Sequence, residues 1–192
     1  MMDSAETRLT PTQQRALLQL ARSAIVAHLA GLPIPAVEEP ELKLAHAGAF
    51  VSLHLGELLR GCIGYVDDSR SLPEALAETA MAAASRDPRF PPLTLEELEQ
   101  VNIEISILSP LQKTAAPTEI TLGRHGVMIK FDTHCGLLLP QVALRRNWDV
   151  EFFLEQVCCK ADLPADAWKD AKAAIFIFTA EVFSENQFRA NR

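Results

Sequence analysis

The chain has 192 residues, a formal net charge of −7 and a pI near 5.2. This acidic balance disfavours nucleic acid as a partner, because nucleic-acid binding normally needs a broad basic face. No apolar run reaches the roughly 18 residues of a membrane-spanning helix, and the first residues lack the basic-then-apolar order of a signal peptide. We therefore expect a cytoplasmic protein with no membrane segment.

The first elements in chain order are a helix and a β-hairpin. Residues 10–13, Thr-Pro-Thr-Gln, have the pattern of a capping box with proline at the first helical position, and Gly31 is a natural helix end. In an extended run over 48–55, Phe50, Ser52 and His54 would share one face and Val51, Leu53 and Leu55 the other, and a second β-prone run covers 59–66. The short turn between these two runs predicts a hairpin.

The next stretch predicts two helices and a strand. Ser71 begins a second capping box and an alanine-rich helix that runs to about Arg86, and Thr94 begins a third capping box. Residues 101–109 alternate strictly between apolar and polar side chains, which is typical of a strand with one buried face.

The second half of the chain predicts further strands and one clear helix. We expect a short strand near 120–122, strands over 127–131 and 135–139, a helix capped by Asp149, and a final strand over 174–183. Most links between strands are short. The sequence therefore predicts an α+β fold, with a mainly antiparallel sheet and helices packed on it.

The stretch 59–66, Leu-Arg-Gly-Cys-Ile-Gly-Tyr-Val, carries the sharpest chemical candidate, Cys62. Glycines weaken a strand, so Gly61 and Gly64 mark a bulge or a close approach by backbone or ligand. A thiolate nucleophile at Cys62 could be stabilised by Arg60 and by backbone N–H groups beside the glycines. The alternative is a buried cysteine in a tight turn, with Arg60 in a structural ion pair. No histidine can be paired with Cys62 from sequence, so both interpretations stay open.

Other polar residues have a functional and a structural interpretation. Arg60 and Arg89 could bind a carboxylate or phosphate, or form ion pairs with Asp87 or Glu104. Glu104, on the polar side of its strand, could be a general base, a partner for Arg60, or a solvent-facing residue.

Two candidates come from the second half of the chain. His125, in a glycine-flanked turn, could act as an acid–base group or simply be solvated. Gln141, after a proline at a strand end, could orient a ligand or cap the backbone. The four cysteines have no Cys-x-x-Cys spacing and no histidine cluster, so we expect free thiols, no metal and no cofactor; they are Cys62, Cys135, Cys158 and Cys159.

A series of motifs in a fixed order carries a family resemblance. These motifs are Gly48–Leu53, Leu59–Gly64, Asp87–Phe90 with Pro92-Leu93, Ile103–Ser109, Gly136–Val142 and Cys158–Ala161. With them, the chain resembles the AMMECR domain family, known in prokaryotes as AmmeMemoRadiSam system protein A, over residues 10–185. Asn147 and Asp162 depart from the family pattern, and Asp162 replaces a usual glycine.

The resemblance implies a compact α+β domain over residues 10–185, with unequal lobes, a cleft, and polar tails at 1–9 and 186–192. It also implies association with MEMO-like proteins, which resemble extradiol dioxygenases, and with radical SAM enzymes.

Two functional hypotheses follow. The chain is an enzyme or enzyme component whose cleft binds a small-molecule or peptide-like ligand, or it is a non-catalytic adaptor for those partners. Nucleic-acid binding is a third and less favoured hypothesis. The candidate catalytic residues are Cys62, Glu104 and His125, and the candidate ligand-binding residues are Arg60, Gly61, Gly64, Asp87, Arg89 and Gln141.

Overall fold

The structure is a computed structural model that describes residues 8–34, 46–66 and 69–189, except for the side chain of residue 189. Most of the expected extended link after the first helix lies outside these residues. The described helices are α1 (Pro11–Ala30), α2 (Leu72–Ser85), α3 (Leu95–Gln100), α4 (Pro140–Arg146), α5 (Val150–Lys160) and α6 (Asn186–Arg189). The strands are β1 (Gly48–Leu55), β2 (Leu58–Val66), β3 (Val101–Leu108), β4 (Gln112–Lys113), β5 (Gly126–Phe131), β6 (His134–Leu138), β7 (Ala174–Phe178) and β8 (Ala180–Ser184).

The strands form two antiparallel sheets, which confirms the predicted α+β class. The first sheet has the order β2-β1-β3-β8, and the second has the order β4-β7-β5-β6. The chain divides into two compact units: unit 1 extends to Ile107 and resumes at Glu181, and unit 2 covers Leu108–Ala180. No helix of the described chain is both long and apolar enough to cross a membrane.

Unit 1 buries one face of its sheet against α1 and α2. Val51 and Leu53 of β1 and Ile103 and Ile105 of β3 are fully buried in the same apolar core as the helices. Because successive side chains of a strand point to opposite faces, the residues between them lie on the other face. This other face carries Phe50, Ser52 and His54 of β1, Cys62 and Gly64 of β2, and Asn102, Glu104 and Ser106 of β3.

A β-bulge and two close approaches shape strand β2. Leu53 pairs with Gly61 and His54 pairs with Leu59, so Arg60 is the extra residue on β2. A Cβ atom at Gly61 would lie 2.3 Å from the carbonyl oxygen of Ala83 in α2. A Cβ at Gly64 would lie 2.1 Å from the ring of Phe50. The prediction that these glycines mark a bulge or a close approach is confirmed, because both are sites of close approach and Gly61 follows the bulge residue.

Two of the three predicted capping boxes are present. Thr10 and Thr94 each accept a hydrogen bond from the third helical N–H, and the side chains of Gln13 and Glu97 bond back. The prediction of a capping box at Ser71 was wrong, because the Ser71 side chain makes no capping hydrogen bond. Pro73 at the second helical position removes one of the N–H groups that a cap side chain can reach.

Unit 2 packs α5 against its sheet. Phe153 and Val157 of α5 are fully buried together with Val127 and Ile129 of β5. Residues 120–122, predicted as a strand, instead follow a short 3-10 turn at Pro117–Glu119 and lead into a tight turn.

Two further features of the second half differ from the predictions. The sheet segment ends before Pro140 as expected, but Pro140 also begins the unpredicted helix α4, where a proline is well accommodated at the first position. The single strand predicted over 174–183 is two strands, β7 and β8, in different sheets. Thr179 separates them, and its N–H and C=O bond to Ser109.

The two departures from the family pattern adopt the left-handed conformation. Asn147 has φ 53° and ends α4, and Asp162 has φ 57° just after α5. Asparagine and aspartate tolerate this conformation better than other side chains, although glycine adopts it without strain. The chain end, expected to be a polar tail, contains α6, whose Phe188 packs against the unit 1 core.

Candidate functional site

An ion pair caps the backbone of Cys62 on the edge strand β2. The Cys62 N–H donates to Oδ2 of Asp87 at 2.8 Å, and the Cys62 carbonyl accepts from Nη2 of Arg89 at 3.1 Å. Asp87 and Arg89 thus occupy both polar backbone groups that this residue directs away from β1. The segment after α2 is tied in this way to the middle of β2.

The Asp87 carboxylate holds this arrangement together. Its side chain is 2% exposed and accepts from Arg89 three times, from Nε at 2.9 Å, from Nη2 at 2.6 Å and from the backbone N–H at 3.1 Å. The Arg89 guanidinium is the largest cause of a pKa of Asp87 far below its usual range, and the N–H groups of Cys62 and Arg89 lower it further, against the effect of burial. Asp87 is therefore a permanent anion at neutral pH.

The sulfur of Cys62 has a hydroxyl neighbour. Ser52 lies directly across from Cys62 on β1, and its Oγ donates to Sγ at 3.2 Å. Ser52 is 9% exposed, and Cys62 is partly buried. Within the described residues, neither a histidine nor a carboxylate makes a hydrogen bond to Sγ. A serine hydroxyl can stabilise a thiolate by donating to it, but it is a poor general base for making one.

Arg60, the bulge residue, uses four of its five side-chain N–H groups in bonds to protein groups. It forms a two-pronged ion pair with Glu97, from Nε to Oε1 at 3.0 Å and from Nη2 to Oε2 at 3.1 Å. Nη1 donates to the carbonyl of Pro91 at 2.9 Å, and Nη2 also reaches that of Pro92 at 3.4 Å. The Arg60 side chain is 12% exposed. Its partner is neither Asp87 nor Glu104, and Arg60 fixes the bulge to the start of α3.

The Arg89 side chain is much more exposed than that of Arg60. Its side chain is 53% exposed, and in the described part of the chain its Nη1 makes no hydrogen bond. The guanidinium carbon lies 5.4 Å from the centre of the Phe90 ring. Of the two candidate arginines, Arg89 is the one with a face available to an anion.

Glu104 and His54 share the sheet face of Cys62. Glu104 is partly buried on β3, two strand spacings, about 10 Å, from the backbone of β2. Among the described residues it has neither a hydrogen bond nor an ion pair. The Nε2 atom of His54 is buried and lacks a hydrogen-bond partner within the described chain.

Two predicted site residues belong to unit 2. His125 lies in the turn before β5, and its Nδ1 accepts from the N–H of Thr121 at 3.1 Å. Gln141 is partly buried in the first turn of α4 rather than at a strand end. Their grouping with Cys62 stays a prediction. Across the described residues, no group of three or more His, Cys, Asp or Glu side chains is placed to hold a metal ion.

Sequence reasoning missed the residues that act through distant partners. Ser52 was part of a predicted strand but had no assigned role, and the hairpin register could have paired it with Cys62. Glu97 belongs to the capping box that Thr94 begins, and it also binds Arg60, which is 37 positions away. No local pattern signals that ion pair.

Comparison with known proteins identifies the family. The AMMECR1 family model matches residues 18–183. A protein of Methanocaldococcus jannaschii is 43% identical over 176 residues, which cover 88% of each chain. A protein of Methanopyrus kandleri is 40% identical over 190 residues, covering 94% of this chain and 92% of that one.

A solved structure has the same fold. The crystal structure of an uncharacterized protein from Pyrococcus horikoshii matches with a TM-score of 0.80 and 38% identity, covering 88% of this chain and 89% of that one. The chain belongs to the AMMECR1 family, as its motifs indicated.

Proposed function

We propose that the surface around Cys62 binds a small-molecule or peptide-like ligand, with the Cys62 thiol and the outer edge of Arg89 as the contacting groups. The observation that carries this proposal is the difference in exposure between Asp87 and its two partners, Cys62 and Arg89. Asp87 is buried and holds the backbone of Cys62, while half of the Arg89 side chain and part of Cys62 stay accessible.

The arginine geometry favours an anionic group on the ligand. Arg60 has one N–H left, the second on Nη1, because Glu97 and two backbone carbonyls use the other four, and its side chain is only 12% exposed. Arg89 keeps Nη1 and one face of its guanidinium, which suit a carboxylate or phosphate oxygen. In this proposal Arg60, Gly61 and Asp87 shape the surface, and Arg89 contacts the ligand.

Binding is favoured over nucleophilic catalysis at Cys62. A cysteine nucleophile needs a neighbouring base or an equivalent device to form the thiolate. Ser52 donates to Sγ and does not supply a base, and the Arg89 guanidinium, which also interacts with the Cys62 side chain, is a cation that cannot accept the thiol proton. Catalysis at Cys62 would require Glu104 or a partner protein to provide that base.

The family resemblance suggests the cellular setting of this surface. The protein would be a cytoplasmic member of the AmmeMemoRadiSam system, acting as an enzyme component with MEMO-like and radical SAM proteins. The second candidate is a non-catalytic adaptor for the same partners. Capture of both partners by the Cys62→Ser and Glu104→Gln variants, with undiminished partner activity, would favour the adaptor.

Alkylation of the cysteines tests the binding proposal on the intact chain. Cys135 is exposed in unit 2 and serves as an internal reference. We expect at least one probe from a panel of succinate, phosphate and short blocked peptides with a free carboxylate to slow iodoacetamide labelling of Cys62 and leave that of Cys135 unchanged. If no probe slows the labelling of Cys62 relative to that of Cys135, the proposed surface is rejected.

A matched pair of variants tests the contacting arginine. Arg89→Lys keeps a positive charge but loses the planar guanidinium, and we expect it to weaken the protection of Cys62 by about tenfold. Arg70→Lys, in an exposed ion pair with Glu78, should leave the protection unchanged. Equal protection in the two variants would remove Arg89 from the ligand surface.

A further inference from the structure

Strand β2 is an edge strand that is capped at one position. It pairs with β1 and is the terminal strand of the order β2-β1-β3-β8. At Cys62 the outward N–H donates to a carboxylate and the outward C=O accepts from a guanidinium. Asp87 and Arg89 thus provide the acceptor and the donor that a neighbouring strand would otherwise provide.

The next outward position along β2 has no such cap. In an antiparallel ladder, every second residue directs its N–H and C=O to the same side of the strand. Because Cys62 directs these groups away from β1, Gly64 and Val66 do the same, and the register runs without a shift from Cys62 to Val66. In the described chain, Gly64 makes no hydrogen bond on that side.

We infer that an extended peptide adds to β2 at Gly64–Val66 as a further strand, with an acidic residue or terminal carboxylate at the end that meets Arg89. This inference rests on the proposed ligand surface and names the class of its ligand. Addition of a strand to an open sheet edge uses backbone hydrogen bonds for affinity and side-chain contacts for selectivity.

The residues around this edge determine the length of the added peptide and the side chains that it would carry. The Asp87–Arg89 cap stops pairing at Cys62, so the added strand is short and its end reaches the exposed side of Arg89. Val66 is 37% exposed and offers an apolar contact at the other end. The Phe50 ring covers the Cβ position of Gly64, so one face of the peptide meets an aromatic surface.

The test uses a phage-displayed library of random linear nonapeptides, selected on the immobilised full chain. We expect selected peptides to be β-prone with an acidic end. On the ¹⁵N-labelled chain, a saturating synthetic copy should slow hydrogen exchange of the Gly64 amide at least tenfold and leave that of Ile129, in the core of unit 2, unchanged. Selection of no peptide, or no slowing at Gly64, would overturn the inference.

A pair of edge variants separates backbone pairing from side-chain contact. Val66→Pro removes the outward N–H, whereas Val66→Ala removes side-chain atoms and keeps that N–H. We expect the first to weaken peptide binding at least tenfold and the second less than threefold. Equal affinities would exclude strand addition, and exchange at Gly64 in the wild-type chain decides the matter if Val66→Pro fails to fold.

The same peptides distinguish failure of this inference from failure of the proposed function. Peptides that shield Cys62 from iodoacetamide but leave the exchange of Gly64 unchanged would keep the ligand surface and overturn strand addition. Peptides that do neither, together with a negative result for every small probe, would overturn both.

Discussion

The buried carboxylate of Asp87 accepts the backbone N–H of Cys62 at 2.8 Å, which joins the segment after α2 to the edge of the hairpin. The same carboxylate binds the guanidinium of Arg89, which in turn donates to the carbonyl of Cys62. These three residues form a closed ring of hydrogen bonds. The position of the Cys62 thiol therefore depends on a side chain 25 residues further along the chain.

Loss of the Asp87 carboxylate should destabilise the protein more than loss of a surface carboxylate. We expect Asp87→Ala to lower the free energy of unfolding by about 2–4 kcal/mol, because several charge-assisted hydrogen bonds to a buried group disappear. Glu78→Ala, which removes a half-exposed ion pair with Arg70, should cost less than about 1 kcal/mol. Urea denaturation of both variants makes the comparison, and equal losses would contradict the assigned role of Asp87.

The pH dependence of stability should also report Asp87. The folded state lowers the pKa of this carboxyl, so the unfolded state binds more protons as the pH falls. The stabilisation is fully present well above the ordinary aspartate pKa near 3.9, and it is lost as the pH falls through that value toward the lower pKa of the folded state. Asp87→Asn should therefore lose less stability than the wild type between about pH 6 and pH 3. Parallel urea-midpoint curves for the two proteins would contradict this prediction.

Arg60 and Glu97 should be energetically coupled. The two-pronged ion pair is partly exposed at Glu97, so solvent screening limits its contribution. A double-mutant cycle with Arg60→Met and Glu97→Gln should give a coupling energy of about 1 kcal/mol. The same cycle with Arg60→Met and Glu96→Gln, a neighbouring carboxylate with no bond to Arg60, should give a value near zero. The prediction fails if the two cycles give the same coupling.

Asp162 offers a simple gain in stability. Its φ of 57° lies in the left-handed region, where a Cβ atom is disfavoured. Asp162→Gly should stabilise the protein by about 0.5–1 kcal/mol, and Asp162→Ala should destabilise it. Thermal unfolding compares the three proteins, and a more stable alanine variant would show that backbone conformation does not decide this position.

Local signals in the sequence predicted much of the fold. The caps at Thr10 and Thr94 and the hairpin depend on neighbours within a few residues, and all are present. The predicted alternation holds in the first half of β3, but from Ile105 onward the strand is buried on both faces. The split between β7 and β8 could not be predicted from the β-prone run over 174–183, in which Thr179 and Glu181 are single polar residues between apolar ones. It depends on the bonds between Thr179 and Ser109, 70 residues apart.

The sequence predicted which residues form the candidate site better than it predicted what each of them does. The motif containing Cys62 was found because its glycines interrupt a β-prone run. The partners of that motif, Asp87, Ser52 and Glu97, come from three other elements, and only the folded chain brings them to it. Arg60 and Arg89 have the same side chain, and only the structure shows that one is consumed by internal contacts and the other is half exposed.

Hydrogen exchange at two backbone amides of β2 tests the central claim most directly. The Cys62 amide is held by Asp87, and the Gly64 amide, two residues further along the same edge, has no acceptor in the described chain. In the free wild-type protein we expect Cys62 to exchange at least tenfold more slowly than Gly64, after correction for intrinsic rates. Equal rates, or slower exchange at Gly64, would contradict an edge that is capped at Cys62 and open beside it.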